Sequence, residues 1–168
     1  MPNNHAMNLT NPLWAMVFSR SWWKPLLERR GRHFPSALQQ AAWPQGIKAG
    51  PKKECHANAS RLVLRFPNRF FYVEGLAENV TARFVTEHAW MIDQTTNQII
   101  DPTWLDAGRD YVGVAFSAPF VLDWQLKRKR YQILHLDDDA NDPIILAGIV
   151  ALPGGAPVKI PDSPGGNG

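Results

Sequence analysis

Apolar positions recur along this chain on two different periods. Cys55, Ala59, Leu62, Val63 and Phe66 follow helical spacing, and Pro67 closes the run. This predicts a helix over residues 54–66 with one inward face and with Cys55 in its first turn. Farther on the period falls to two. Residues 70–77, 84–93, 98–103, 111–116 and 131–136 predict strands. Residues 120–130, between the last two, read as a short amphipathic segment with a basic end. Upstream, Ser36-Ala-Leu-Gln39 has the form of a capping box, in which a hydroxyl and an amide side chain satisfy the first helical N–H groups. A short helix is expected from there to Trp43, ended by Pro44 and Gly46. The sum is an α+β pattern.

The two ends differ from this middle. Trp14, Met16, Val17, Phe18, Trp22 and Trp23 make the start apolar without a clean period. Residues 1–34 are therefore expected to drape over a domain spanning residues 35–152. From Pro153 on, nine of 16 residues are Pro or Gly, which predicts a disordered tail over 153–168 because such a stretch cannot offset its ordering entropy.

Composition narrows the class. Of the 168 residues 45% are hydrophobic and 20% charged, enough for one cored domain and too ordered a mixture for a disordered chain. The longest apolar run, residues 144–152, falls far short of the roughly 20 residues that span a bilayer. A net charge of +3 is modest for a dedicated nucleic-acid binder. The two basic groups, Arg29, Arg30, Arg32 and His33, and Lys127-Arg-Lys-Arg130, read as solvated element ends unless they meet in space. Asp137-Asp-Asp139 lacks the ligand spacing of a calcium loop and reads as a turn. The single cysteine excludes an internal disulfide and any multi-cysteine zinc site. The first ten residues carry no basic stretch followed by an apolar one, so a cytoplasmic chain is expected.

Cys55, His88 and Asp101 carry the candidate chemistry. A thiol at a helix N-terminus is drawn toward its thiolate by the helix's partial positive charge, and an imidazole completes the activation. His56 is the nearer histidine in sequence, but on a helix it points about 100° away from its neighbour, which disfavours it as the base. If residues 94–97 make a four-residue turn, Ile92 faces Ile99 and Trp90 faces Asp101. Asp101 then lies diagonal to His88 and within reach of its ring. A slip of one residue would break the arrangement. A metal site of Cys55, His56, His88 and Asp101 has suitable ligand types and no recognised spacing.

The strings YVEGLA (residues 72–77), HAW (88–90) and IIDPTW (99–104), following a helix that opens on a cysteine, resemble the transglutaminase-like branch of the papain-like cysteine enzymes. The resemblance covers about 50 residues. It implies a papain-like fold, with a nucleophile helix packed on an antiparallel sheet. It also implies Cys55 as nucleophile, His88 as base, Asp101 as its orienter and Trp90 as a packing residue beside the site, with a tentative place in substrate binding. The implied activity is thiol acyl transfer on a peptide, protein or other amide-containing substrate, as a peptidase, an amidase or a transferase. No metal and no organic cofactor is needed. No Gln stands out as an oxyanion donor, so the Cys55 amide and a second donor must serve. Two rivals remain: a catalytically silent binding protein on the same fold, and a basic protein that binds nucleic acid or an acidic partner.

Overall fold

Two polar turns set the register of the central strands. The computed structural model describes residues 12–19, 23–35, 43–105, 107–135 and 141–158. Strand β2 (Phe70–Asn79) pairs antiparallel with β3 (Phe84–Asp93) along their whole length, from Phe70 opposite Asp93 to Asn79 opposite Phe84. At the tip Asn79 Oδ1 accepts the Ala82 N–H at 2.8 Å. At the other end Asp93 Oδ1 accepts the N–H groups of Thr95 and Thr96 at 2.8 and 3.3 Å. Asn97 there adopts φ 57°, a left-handed conformation that its short polar side chain tolerates. The turn brings in β4 (Ile99–Ile100) with Ile92 opposite Ile99 and Met91 opposite Ile100, the expected register. The strand expected over 98–103 stops after two residues. Asp101 turns its carboxylate back onto the amides of Thr103 and Trp104, and the backbone leaves the sheet.

Strand β5 (Gly108–Phe116) flanks β2 on its other side, and β1 (Arg32–Phe34) lies against β5. Strand β6 (Ile149–Val150) also pairs with β5, and β7 (Ala156–Pro157) pairs with β1. All of these pairs are antiparallel, and among the described residues the order is β4-β3-β2-β5-β1-β7. Helices α1 (Pro12–Ser19), α2 (Trp23–Arg30), α3 (Cys55–Arg65), α4 (Ala118–Arg128) and α5 (Pro143–Gly148) complete the described elements. The fold is α+β, a helical layer on an antiparallel sheet.

Two cores follow from the pleat. Tyr72, Leu76, Met91, Val112 and Val114 face the helices and meet Ala59 and Val63 of α3. Val73, Trp90, Ile92, Ile99 and Tyr111 face the other way and close over Phe34 and Leu152. The buried face of α3 is small, with Ala57, Asn58, Ala59 and Ser60, which lets its first turns approach the sheet closely. No described helix is long and apolar enough to cross a membrane.

Several expectations change. The expected strand over 131–136 is irregular through residue 135, because Ile133 and Leu134 give their N–H groups to the Glu74 side chain rather than to a ladder. The first 34 residues supply two short helices and β1, a strand inside the sheet. Eight-residue helices are too brief to display a period. The tail boundary at 153 also moves: β7 pairs with Arg32 and His33, and Val158 is buried. The expected helix from Ser36 lies mostly outside the described residues, as do residues 136–140 with their acidic run. The two basic groups line different clefts. Lys127 lies in the last turn of α4 and pairs with Asp123 four residues earlier at 2.9 Å.

Candidate active site

Among the described residues β4 pairs with Met91 and Ile92 alone, and no described strand lies beside the outer edge of β3 at His88. The start of α3 and the turn after Asp101 meet there, tied by their own bonds. Gly50 donates its N–H to the Pro102 carbonyl at 2.8 Å. Asn58, buried on α3, donates through Nδ2 to the Pro51 carbonyl at 2.8 Å and to Thr103 Oγ1 at 2.9 Å. The segment that presents Cys55 is thus fastened to the segment that presents Asp101.

His88 Nε2 lies 2.7 Å from Asp101 Oδ2, and each side chain is only 1% exposed. Asp101 is saturated with donors. Its Oδ1 accepts the N–H groups of Thr103 at 2.9 Å and Trp104 at 3.0 Å, and its Oδ2 also accepts the Tyr111 hydroxyl at 2.9 Å. With Nε2 committed to Asp101, Nδ1 is the ring nitrogen left for Cys55, with which the imidazole hydrogen bonds. Trp104 stacks on the ring at 3.7 Å between centroids. Trp90 lies beneath it at 6.3 Å.

Trp90 is fully buried and does not line the cleft, so its tentative place in substrate binding gives way to packing. Its room is made by a row of missing side chains. Gly75 pairs with both His88 and Gly113. A Cβ on Gly113 would stand 2.4 Å from the Glu74 carbonyl oxygen and 2.8 Å from the Trp90 ring. Glycine here answers a close approach of backbone and indole.

The site holds a second imidazole. His56 Nδ1 lies 3.1 Å from the Tyr72 hydroxyl and 3.3 Å from Glu74 Oε1, and the ring hydrogen bonds Cys55 as well. Tyr72 donates to Glu74 Oε1 at 2.5 Å. Glu74 is 1% exposed and also takes the N–H groups of Ile133 at 2.6 Å and Leu134 at 2.7 Å. His56, set aside in the sequence on helical geometry, therefore joins the site. At the first two positions of a helix no preceding turn intervenes, and both side chains lean over the helix end. The sequence signal for this arm is Glu74, an acidic residue inside the otherwise apolar run of residues 70–77.

The charges follow from these contacts. Burial pushes the Cys55 thiol up, but hydrogen bonds and charge from His56 and His88 overcome it and bring the pKa to about 6. Burial pulls both imidazoles down; Asp101 lifts His88 to about 9, and Glu74 lifts His56 to about 10. Burial alone would raise Asp101, yet the His88 charge holds it below the usual carboxylate range. At neutral pH the group is a thiolate between two imidazolium ions.

Cys55 stands where two hollows meet. A cleft of about 670 Å³ opens past Cys55 and His88, walled by Phe84, Trp104 and Leu105 with Lys52 and Lys53 at its rim. A smaller one of about 260 Å³ is lined by His56, Arg61 and Tyr131. Among the described residues no three His, Cys, Asp or Glu side chains converge as a metal ligand set. No family model matches the chain, and neither a curated protein nor a solved structure does.

Proposed function

We propose that the protein is a cysteine-nucleophile acyl-transfer enzyme on a papain-like, transglutaminase-like scaffold. The observation that carries this reading is the buried 2.7 Å His88–Asp101 pair beside a thiol at the first position of a helix. A thiol with pKa near 6 is a standing nucleophile at neutral pH.

Cys55 Sγ attacks the carbonyl carbon of an amide or ester. The C–S bond forms as the carbonyl π pair moves onto oxygen. When the oxyanion collapses, the bond to the leaving group breaks, and His88 gives its proton to the departing amine or alkoxide. The acyl group is then a thioester on Cys55. Water, deprotonated by the now neutral His88, resolves it to a carboxylic acid and makes the enzyme a peptidase or amidase. An amine resolves it to a new amide and makes the enzyme a transferase. Asp101 keeps Nε2 protonated and fixes the ring throughout. The apolar wall of the larger cleft suits an acyl group bearing an apolar side chain. An acidic thiol of this kind needs a compartment that keeps it reduced, which fits the cytoplasm.

The test is acylation of the wild type and Cys55→Ala by p-nitrophenyl acetate, followed by intact mass. The wild type is expected to carry one acetyl group on Cys55 and the variant none. Acetylation at an equal rate in both proteins would overturn the reading and leave a silent scaffold.

A further inference from the structure

One acyl transfer moves one proton, yet two imidazoles flank Cys55. His88 is 1% exposed, stacked under Trp104 and bound directly to Asp101. His56 is 21% exposed, lines the smaller hollow beside Cys55 and is anchored from behind by Tyr72 and Glu74. Only one of them is needed as the acid that releases the leaving group. We propose that His56 is a catalytic residue of a different kind: its imidazolium stabilises the oxyanion formed when Cys55 attacks a carbonyl. This inference rests on the acyl-transfer reading and supplies the second oxyanion donor that the sequence leaves unassigned.

Two observations and one electrostatic argument support it. First, His56 follows Cys55 in the first turn of α3, and the first backbone bond of that helix runs from the Asn58 N–H to the Glu54 carbonyl. The amides of Cys55 and His56 precede it and have no acceptor within the helix. A carbonyl attacked by Cys55 therefore places its oxygen beside the helix end and beside His56. Second, the anchor favours a fixed charge over a mobile proton. If His56 gave up its proton, the buried Glu74 carboxylate would lose its one cationic neighbour among its bonded partners. In keeping with this, the His56 pKa lies at about 10, above that of His88. Third, the charge has to travel. The negative charge leaves sulfur for oxygen on attack, and a cation already positioned beside both atoms needs no reorganisation to follow it. During the step the carbonyl π pair becomes the oxyanion lone pair, His56 keeps its proton and hydrogen bonds that oxygen, and the pair returns to re-form the carbonyl as the leaving group departs.

The experiment compares two reactions of the same thiolate. Alkylation by iodoacetamide displaces iodide and forms no oxyanion. Acylation by p-nitrophenyl acetate forms one, and its leaving group departs without a proton. The ratio of the two rates, taken at one pH for each protein, cancels differences in thiolate population. His56→Ala is expected to lower the ratio by about 10²–10³-fold, the loss typical of one oxyanion donor, and His56→Gln to lower it less, since its neutral amide retains part of the stabilisation. His88→Ala is expected to slow both reactions and leave the ratio within a few-fold. A ratio unchanged by both His56 variants, or one that falls equally in His88→Ala, overturns the inference while leaving acyl transfer standing. A wild-type thiol that is alkylated but never acylated overturns both. A readout free of variants is the ¹⁵N spectrum of the His56 ring in the wild type, which is expected to be doubly protonated at pH 7.5; a neutral ring there also overturns it.

Discussion

The Trp104 indole lies face to face with the His88 imidazole, ring centroids 3.7 Å apart and planes inclined by 15°. The stack covers the imidazole from water and favours its cationic form. Trp104 also meets Phe84 edge-on at 6.0 Å, so the lid over His88 is part of the cleft wall. Trp104→Ala is expected to cost about 0.5–1.5 kcal/mol from the lost ring pair, beyond its area term. It should also slow Cys55 alkylation at pH 7 several-fold. Urea unfolding and an iodoacetamide rate check it; an unchanged rate would show that the stack is packing alone.

Asp101→Asn should fold and, on the acyl-transfer proposal, lose acylation of Cys55. The asparagine oxygen still accepts from Thr103 and Trp104, so the turn keeps its two amide bonds. The amide nitrogen now faces His88 Nε2 and donates where it should accept, which imposes the wrong tautomer. The loss expected in acylation is on the order of 10³-fold or more. A melt within a few degrees of the wild type, alongside that loss, is the predicted pair of results. An unfolded variant would make Asp101 structural.

Stability should fall as pH rises from 7 to 9. His88 and His56 have native pKa values raised to about 9 and 10, so their contributions are complete below the ordinary histidine value and are lost as pH climbs through those numbers. The Cys55 thiol is lowered to about 6, so its contribution is present above its ordinary value and is lost as pH falls through 6. Between these limits the native state holds protons on two imidazoles and the unfolded chain holds one on the thiol. Unfolding releases a proton, and higher pH favours it. Urea midpoints at pH 7, 8 and 9 should decline, and His56→Gln should flatten the decline.

Asn58→Ala should loosen the site without touching its chemistry directly. The change leaves the Pro51 carbonyl and the Thr103 hydroxyl without the Asn58 donor and is expected to cost about 1–3 kcal/mol. Since the same side chain fastens the Cys55 segment to the Asp101 turn, alkylation at pH 7 should slow more than the stability loss alone accounts for. A thermal melt and an alkylation rate on the folded variant decide it.

The elements legible in the sequence are those whose causes are local. The ends of α3 and of β3 and the Ile92–Ile99 register follow from Pro67, from alternation and from a turn closed by Asp93 and Asn97. Cys55, His88 and Asp101 lie together, and the His88–Asp101 contact follows from the register set by the turn over residues 94–97. What escaped depends on distant partners. Strands β1 and β7 are three and two residues long and owe their form to β5 and to each other. Residues 131–135 alternate like a strand, yet their amides are taken by Glu74, 59 and 60 positions back along the chain. His56 was set aside by the geometry of a helix interior, and it sits where a helix has no interior.

The two arms of the site differ in how much chain must close to form them. The His88–Asp101 arm closes across 13 residues of a short meander, a span with a small loop-closure cost. The His56 arm leans on Glu74, whose bonds to the amides of residues 133 and 134 close across 59 and 60 positions, a span with a larger loop-closure cost. Loop closure therefore favours the His88–Asp101 pair over the long-range bonds that hold Glu74 beside His56, and the second cation is the part of the site that depends most on distant sequence.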